Sequence, residues 1–164
     1  MIEDAPFRAR WDTAGWEWQW RHRPTDHIPF AGERAPAYIP AATLRTIQER
    51  DGWRCRFCAL RLINWKVLKL LCARFPEELP WGRRDAEQHA AVAGSRFSPE
   101  HVVPRSSGGS NEPDNLVSAC WTCQFSKGDC TVEELWLEDP RDRPPVVDDW
   151  DGLTGTIAAL RSMV

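Results

Sequence analysis

Hydrophobic and polar positions run in two rhythms along this chain, and each change of rhythm marks an element. In WEWQWRHR, Trp16, Trp18 and Trp20 alternate with Glu17, Gln19 and Arg21, a period of two that predicts a strand with three indoles on one face. After Pro40, AATLRTIQERDG changes to helical spacing, with Leu44 and Ile47 on one side and Gly52 as the stop. WRCRFCALRL then reads as a short hairpin built round Cys55 and Cys58. Asn64 is the expected cap of a helix over residues 64–75, on which Trp65, Leu68, Cys72 and Phe75 recur at helical spacing.

Downstream, RRDAEQHAAVAG predicts a further helix, and FSPEHVVPRSSGGSNEPDNLVSAC predicts strand, glycine loop, strand. Thr131 and Glu134 form a T-x-x-E capping box, which predicts a helix over TVEELWL. An acidic, proline-rich connector, DPRDRPPVVDDWDG, leads to a short terminal helix in LTGTIAALRSM. With 164 residues, 42% of them apolar, the chain suits one domain with extensions.

Charge divides unevenly under a net value of -3. Residues 41–75 carry eight bases against two acids, whereas residues 131–164 carry eight acids against three bases. A local basic face beside an acidic tail can bind a polyanion although the total is negative; a solvated helix face accounts for the same charges. No stretch approaches the roughly 18 to 20 apolar residues of a membrane helix, and MIEDAPFRARWD has no apolar run of the secretory kind. The expectation is a soluble cytoplasmic protein, in which six cysteines serve as metal ligands or buried thiols rather than disulfides.

Spacing assigns four of those cysteines. Cys55 with Cys58, and Cys120 with Cys123, are two C-x-x-C knuckles, each able to present two thiolates to one tetrahedral zinc ion. A redox pair would explain one C-x-x-C only, and its strand and helix context is missing. Cys72 and Cys130 fall outside the spacing and read as buried or incidental thiols.

Between the knuckles stand Glu100, His101, Gly108, Gly109 and Asn115, and the second knuckle is followed by Gln124 and Lys127. In order, CRFC, EHVVP, GG, DNLVSAC and WTCQFSKGD resemble the HNH endonuclease family over about residues 40–135. The resemblance implies an α+β fold: a small zinc-stabilised beta-beta-alpha-metal finger with a helical insertion. The expected layout is a Trp- and Pro-rich extension over 1–40, a nuclease domain over 41–138 with its insertion at about 62–95, and a connector with a terminal helix over 139–164.

It also implies phosphodiester hydrolysis, of DNA in the first instance, by enzymes of bacterial or phage type. His101 would be the general base, because a near-neutral imidazole can take a proton from water at cellular pH. Glu100 and Gln124 would hold one Mg2+ or Mn2+, and Asn115 would position the glycine loop and the imidazole. Arg105 and Lys127 are the candidates to touch substrate phosphates.

Gln124 stands where the family has Asn or His, and both it and Glu100 are one methylene longer than the common Asn and Asp. Weaker metal affinity, or a preference for Mn2+, is the expected consequence. Forty-two residues lie between Cys58 and His101, more than a compact member needs, and His89 within them reads as an exposed helix residue rather than a ligand. Two other readings stay open. One is a weakened zinc module that binds nucleic acid, or a partner protein through the tryptophan face. The other is the nuclease subunit of a bacterial defence assembly, docked through its acidic tail.

Overall fold

Pro40, which has no N–H to leave unpaired at a helix start, opens the first element of the computed structural model, which describes residues 31–82, 87 and 89–162. This is helix α1, Ala41–Arg50, whose inward residue Ile47 is fully buried. Gly52 ends it in a left-handed turn, φ 61°, where a Cβ would run into the Val146 carbonyl of the returning tail. The expected hairpin follows as a tight reversal, with Arg54 bridged antiparallel to Arg61 and the Leu62 N–H donating to Trp53 at 2.8 Å.

Helix α2, Trp65–Arg74, starts as expected on Asn64, whose side chain accepts from the Lys66 N–H at 2.9 Å. Its inner residues Leu68 and Cys72 meet Val92 of helix α3, Ala90–Ser95, in a small core of their own. Helices α2 and α3 therefore add a second, smaller core beside the main one. His89 is neither a ligand nor a mid-helix residue in this arrangement: its Nδ1 accepts from the Ala91 N–H at 3.2 Å and caps α3. The strand expected over Trp16, Trp18 and Trp20, and part of the run before His89, lie outside the described residues.

Strands β1, Phe97–His101, and β2, Leu116–Cys120, pair antiparallel, with Phe97 opposite Cys120 and His101 opposite Leu116. Helix α4, Trp121–Lys127, follows β2 at once and packs back on both strands. The fold is α+β. A two-stranded ribbon is marginal alone, and here it is backed by Val102, Val117, Ala119, Val132 and Leu62 in the main core.

The capping box forms but its helix does not. The Thr131 N–H donates to Glu134 Oε2 at 2.7 Å and the Glu134 N–H to Thr131 Oγ1 at 3.2 Å. One turn later the Leu137 N–H returns to the Val132 carbonyl at 2.8 Å, and Trp136 takes a left-handed φ of 55°. Val132 and Leu135 are by then buried, 2% and 4% exposed, so tertiary packing ends the segment after a single turn.

The acidic tail folds onto the basic hairpin. Asp148 pairs with Arg54 at 2.5 Å and Arg61 at 3.4 Å, and the Trp150 indole N–H donates to the Leu62 carbonyl at 2.8 Å. The expected terminal helix is present as α5, Ile157–Ser162, which packs on α2.

A buried carboxylate ties α1 to the ribbon. Asp51, 1% exposed, accepts from the Ser118 N–H at 2.7 Å and holds the Arg50 guanidinium through both oxygens, at 2.8 and 3.0 Å. Arg50 reaches on to the carbonyls of Pro113 and Leu116 at 2.8 and 2.7 Å. Asp51→Ala leaves a buried N–H and a guanidinium without their acceptor and is expected to cost about 3 kcal/mol in urea unfolding of the zinc-loaded protein. A loss below about 1 kcal/mol, the level of a surface pair, would show that Asp51 is not the clamp.

Candidate active site and metal centre

The two C-x-x-C knuckles meet. The sulfurs of Cys55, Cys58, Cys120 and Cys123 all lie within 4.8 Å of one another, and Cys58 Sγ is 3.8 Å from Cys120 Sγ. Zinc with about 2.3 Å bonds to four sulfurs sets tetrahedral edges of about 3.8 Å, so the cluster fits a zinc site. The Cys123 N–H donates to Cys120 Sγ at 3.3 Å, the turn that lets two thiolates face one ion. Hydrogen bonding from its sulfur neighbours, Cys120 first, pulls the Cys58 thiol down toward the thiolate, while contact with Cys120 pushes Cys123 up. A dication is what would let all four ionise together. Cys72 lies in the insertion core, its thiol pushed up by burial.

Strand β1 presents the candidate chemistry on its two faces. Ser98 and Glu100 point inward to α4, and His101 is half-buried at the strand's end. His101 Nε2 lies 2.8 Å from Asn111 Oδ1. The Asn111 amide is oriented by its other end, since Nδ2 donates to the Pro36 carbonyl at 2.8 Å and the Tyr38 carbonyl at 3.1 Å. Oδ1 can only accept, so Nε2 must carry the proton and Nδ1 keeps the lone pair. Burial lowers the imidazole pKa, as do the charges of Arg105 and Lys127, while the Asn111 bond opposes them. The neutral form, which a general base requires, is thereby favoured.

The loop beyond His101 is fixed by Asn115, 7% exposed. Its Oδ1 accepts from the Val103 N–H at 2.9 Å, and its Nδ2 donates to the Val103 and Ser110 carbonyls at 3.0 and 2.9 Å. Gly108 has φ 88°, and a Cβ on Gly109 would overlap the Val103 carbonyl and lie 2.7 Å from Asn115 Nδ2. Both glycines are thus required by the loop that Asn115 ties. Asn115 makes no hydrogen bond to the imidazole; Asn111 holds it instead. Arg105 donates to the Ala35 carbonyl from Nε at 2.9 Å and Nη2 at 2.5 Å, so residues 35–38 strap this loop at two points.

Two helix residues a turn apart meet two strand residues on one face. Gln124 Oε1 accepts from the Ser98 hydroxyl, and Gln124 Nε2 donates to the Pro99 carbonyl at 3.4 Å. Lys127 Nζ pairs with Glu100 Oε1 at 2.9 Å and donates to the His101 carbonyl at 2.8 Å. The Lys127 side chain is fully buried, so in this arrangement it contacts Glu100 and not solvent. Its position differs from that of a surface phosphate contact because the helix phase turns it inward beside Gln124. Burial pushes the Glu100 pKa up to about 7, against the pull of Lys127.

A carboxylate and an amide carbonyl on facing elements are oxygen donors of the kind that could hold a hard cation, and here Lys127 sits on the one and Ser98 on the other. Asn111, Ser98 and the 35–38 strap escape sequence reasoning. Ser98 has a readable signal, standing two residues before Glu100 on the same strand face. Asn111 follows the glycine pair by two residues, but nothing in its type shows that it turns to His101.

Dialysed protein is expected to retain about one zinc per chain by metal analysis, and Cys58→Ser to lose both the zinc and the folded spectrum, since such a site contributes folding free energy directly. A folded, metal-free wild type would rule the zinc site out. Residues 91–137 match the family model described as HNH endonuclease. No curated protein and no solved structure matches the chain.

Proposed function

We propose, from the match of residues 91–137 to the HNH endonuclease model, that this chain is a member of that family and hydrolyses phosphodiester bonds of DNA with His101 as general base. The observation that carries this reading is the imidazole whose Nε2 is taken by Asn111, which leaves Nδ1 as the proton acceptor. Water attacks phosphorus in line, giving its proton to Nδ1, and the bond to the 3′ oxygen breaks; that oxygen takes a proton from solvent water, leaving 5′-phosphate and 3′-hydroxyl ends. Asn111 Oδ1 then accepts from an imidazolium rather than an imidazole, a stronger charge-assisted bond. Asn115 keeps the loop that carries Asn111 in register through its bonds to Val103 and Ser110.

Glu100 and Gln124 would hold the divalent cation that the family implies, Mg2+ or Mn2+, whose charge offsets that on the phosphoryl and departing oxygens. Arg105 would face a substrate phosphate with the part of its guanidinium that Ala35 does not take. Both proposed cation ligands already have partners, Lys127 and Ser98. That observation favours, as a second reading, a weakened nuclease that binds nucleic acid without cutting it.

Supercoiled plasmid incubated with Mg2+ or Mn2+ separates the two readings. The zinc-loaded protein is expected to nick it. His101→Ala should lose about 10²- to 10⁴-fold, the usual contribution of a positioned base, and Asn111→Ala should fall between the two. Equal rates for wild type and His101→Ala would remove the catalytic reading and leave the binding one.

A further inference from the structure

We propose that Lys127 is an internal counter-cation, seated on Glu100 where the divalent ion belongs, which must withdraw for that ion to bind. This deepens the reading of Glu100 and Gln124 as the cation's ligands and rests on it. The placement is specific. Nζ bridges Glu100 Oε1 at 2.9 Å and the His101 carbonyl at 2.8 Å, and the two paired side chains are 0% and 7% exposed. A hard divalent ion on Glu100 Oε1, at about 2.0 to 2.1 Å, would take the place that the ammonium now holds. Like charges in a buried place repel strongly as well.

The residue type fits that office. The chain has only three lysines, Lys66, Lys69 and Lys127, among 21 basic residues. An ammonium is a compact point charge on a flexible stem, whereas a guanidinium is a planar fork. Lysine is therefore the basic side chain that can stand in for a small spherical ion and then swing away by rotation of its stem alone. It ends α4, and Gly128 follows with φ 55°, ψ -134°, so the helix does not continue past it.

Two consequences follow for the protein without a divalent ion. Glu100 is not left as an unpaired buried charge, so the active-site strand keeps its shape. Binding becomes an exchange of one cation for another, and the apparent affinity falls by the fraction of molecules in which Lys127 is withdrawn.

The test labels the full-length, zinc-loaded wild type with an amine-acylating reagent during a Mn2+ titration. Bound Mn2+ is followed by electron paramagnetic resonance, and each lysine by mass spectrometry. Lys66 and Lys69, both exposed, serve as internal standards. Lys127 labelling is expected to rise about tenfold with the same midpoint as Mn2+ binding while the standards stay level, as for an open form held by about a tenth of the metal-free molecules. Lys127→Met should bind Mn2+ about tenfold more tightly for the same reason.

Mn2+ binding that Glu100→Gln abolishes, with Lys127 still protected in the wild type, would overturn the displacement and leave the ligand assignment standing. Mn2+ binding that does not depend on Glu100 would overturn the ligand assignment and the displacement together. Because the labelling uses wild type, it decides the matter even where Lys127→Met fails to fold.

Discussion

Four sulfurs hold this molecule's working parts in register. A two-stranded ribbon cannot stabilise itself in water, and α4 has only seven residues, too few to persist alone. Cys55 and Cys58 come from the hairpin, while Cys120 and Cys123 come from the junction of β2 and α4. Closing the cluster fixes where α4 leaves the ribbon and which of its sides faces β1. Gln124 and Lys127 then meet Ser98 and Glu100 as a matter of helix phase. Asp51 performs the complementary task from the other side, binding α1 to Ser118 on the same strand as the second knuckle.

Opposite charges from the two halves of the chain meet at the hairpin. Arg54 and Arg61 share Asp148, and Arg56 donates to the carbonyls of Pro140 and Arg143 in the tail. Burial lowers the Arg56 pKa, with Asp51 acting against it. One tail acid, Asp148, thus answers two of the hairpin's bases, while Arg45, Lys66, Lys69 and Arg74 stay exposed.

Much of this organisation is legible in one sequence because it rests on local rules. Paired C-x-x-C spacing, the Asn64 cap, the glycine pair and the two strands round it depend on a few neighbouring residues, and each appears where those rules put it. The TVEELWL segment shows where such rules stop. Its capping box is made in full, yet Val132 and Leu135 reach the core within one turn, and Trp136 turns left-handed instead of continuing. Lys127 and Asn111 fail to be legible for a different reason. A lysine after a metal knuckle and an asparagine after two glycines are ordinary surface types, and only the packing of α4 and the strap from residues 35–38 turn them inward.

The longer side chain at Glu100 takes on a physical meaning beside Lys127. An ammonium keeps its oxygens at 2.8 to 2.9 Å here, whereas a small dication draws them to about 2.0 to 2.1 Å. Glu100 is the arm that touches the ammonium, whose second oxygen partner is the His101 carbonyl, and an arm fitted to the ammonium would have to reach further for a dication. One added methylene in that arm would supply the reach, at the cost of more rotamers to fix when an ion binds. Glutamate in place of the commoner aspartate would therefore suit the exchange of cations proposed above. Gln124 can release Ser98 and extend, because its carbonyl oxygen is tied by a single hydroxyl and its amide only weakly to Pro99.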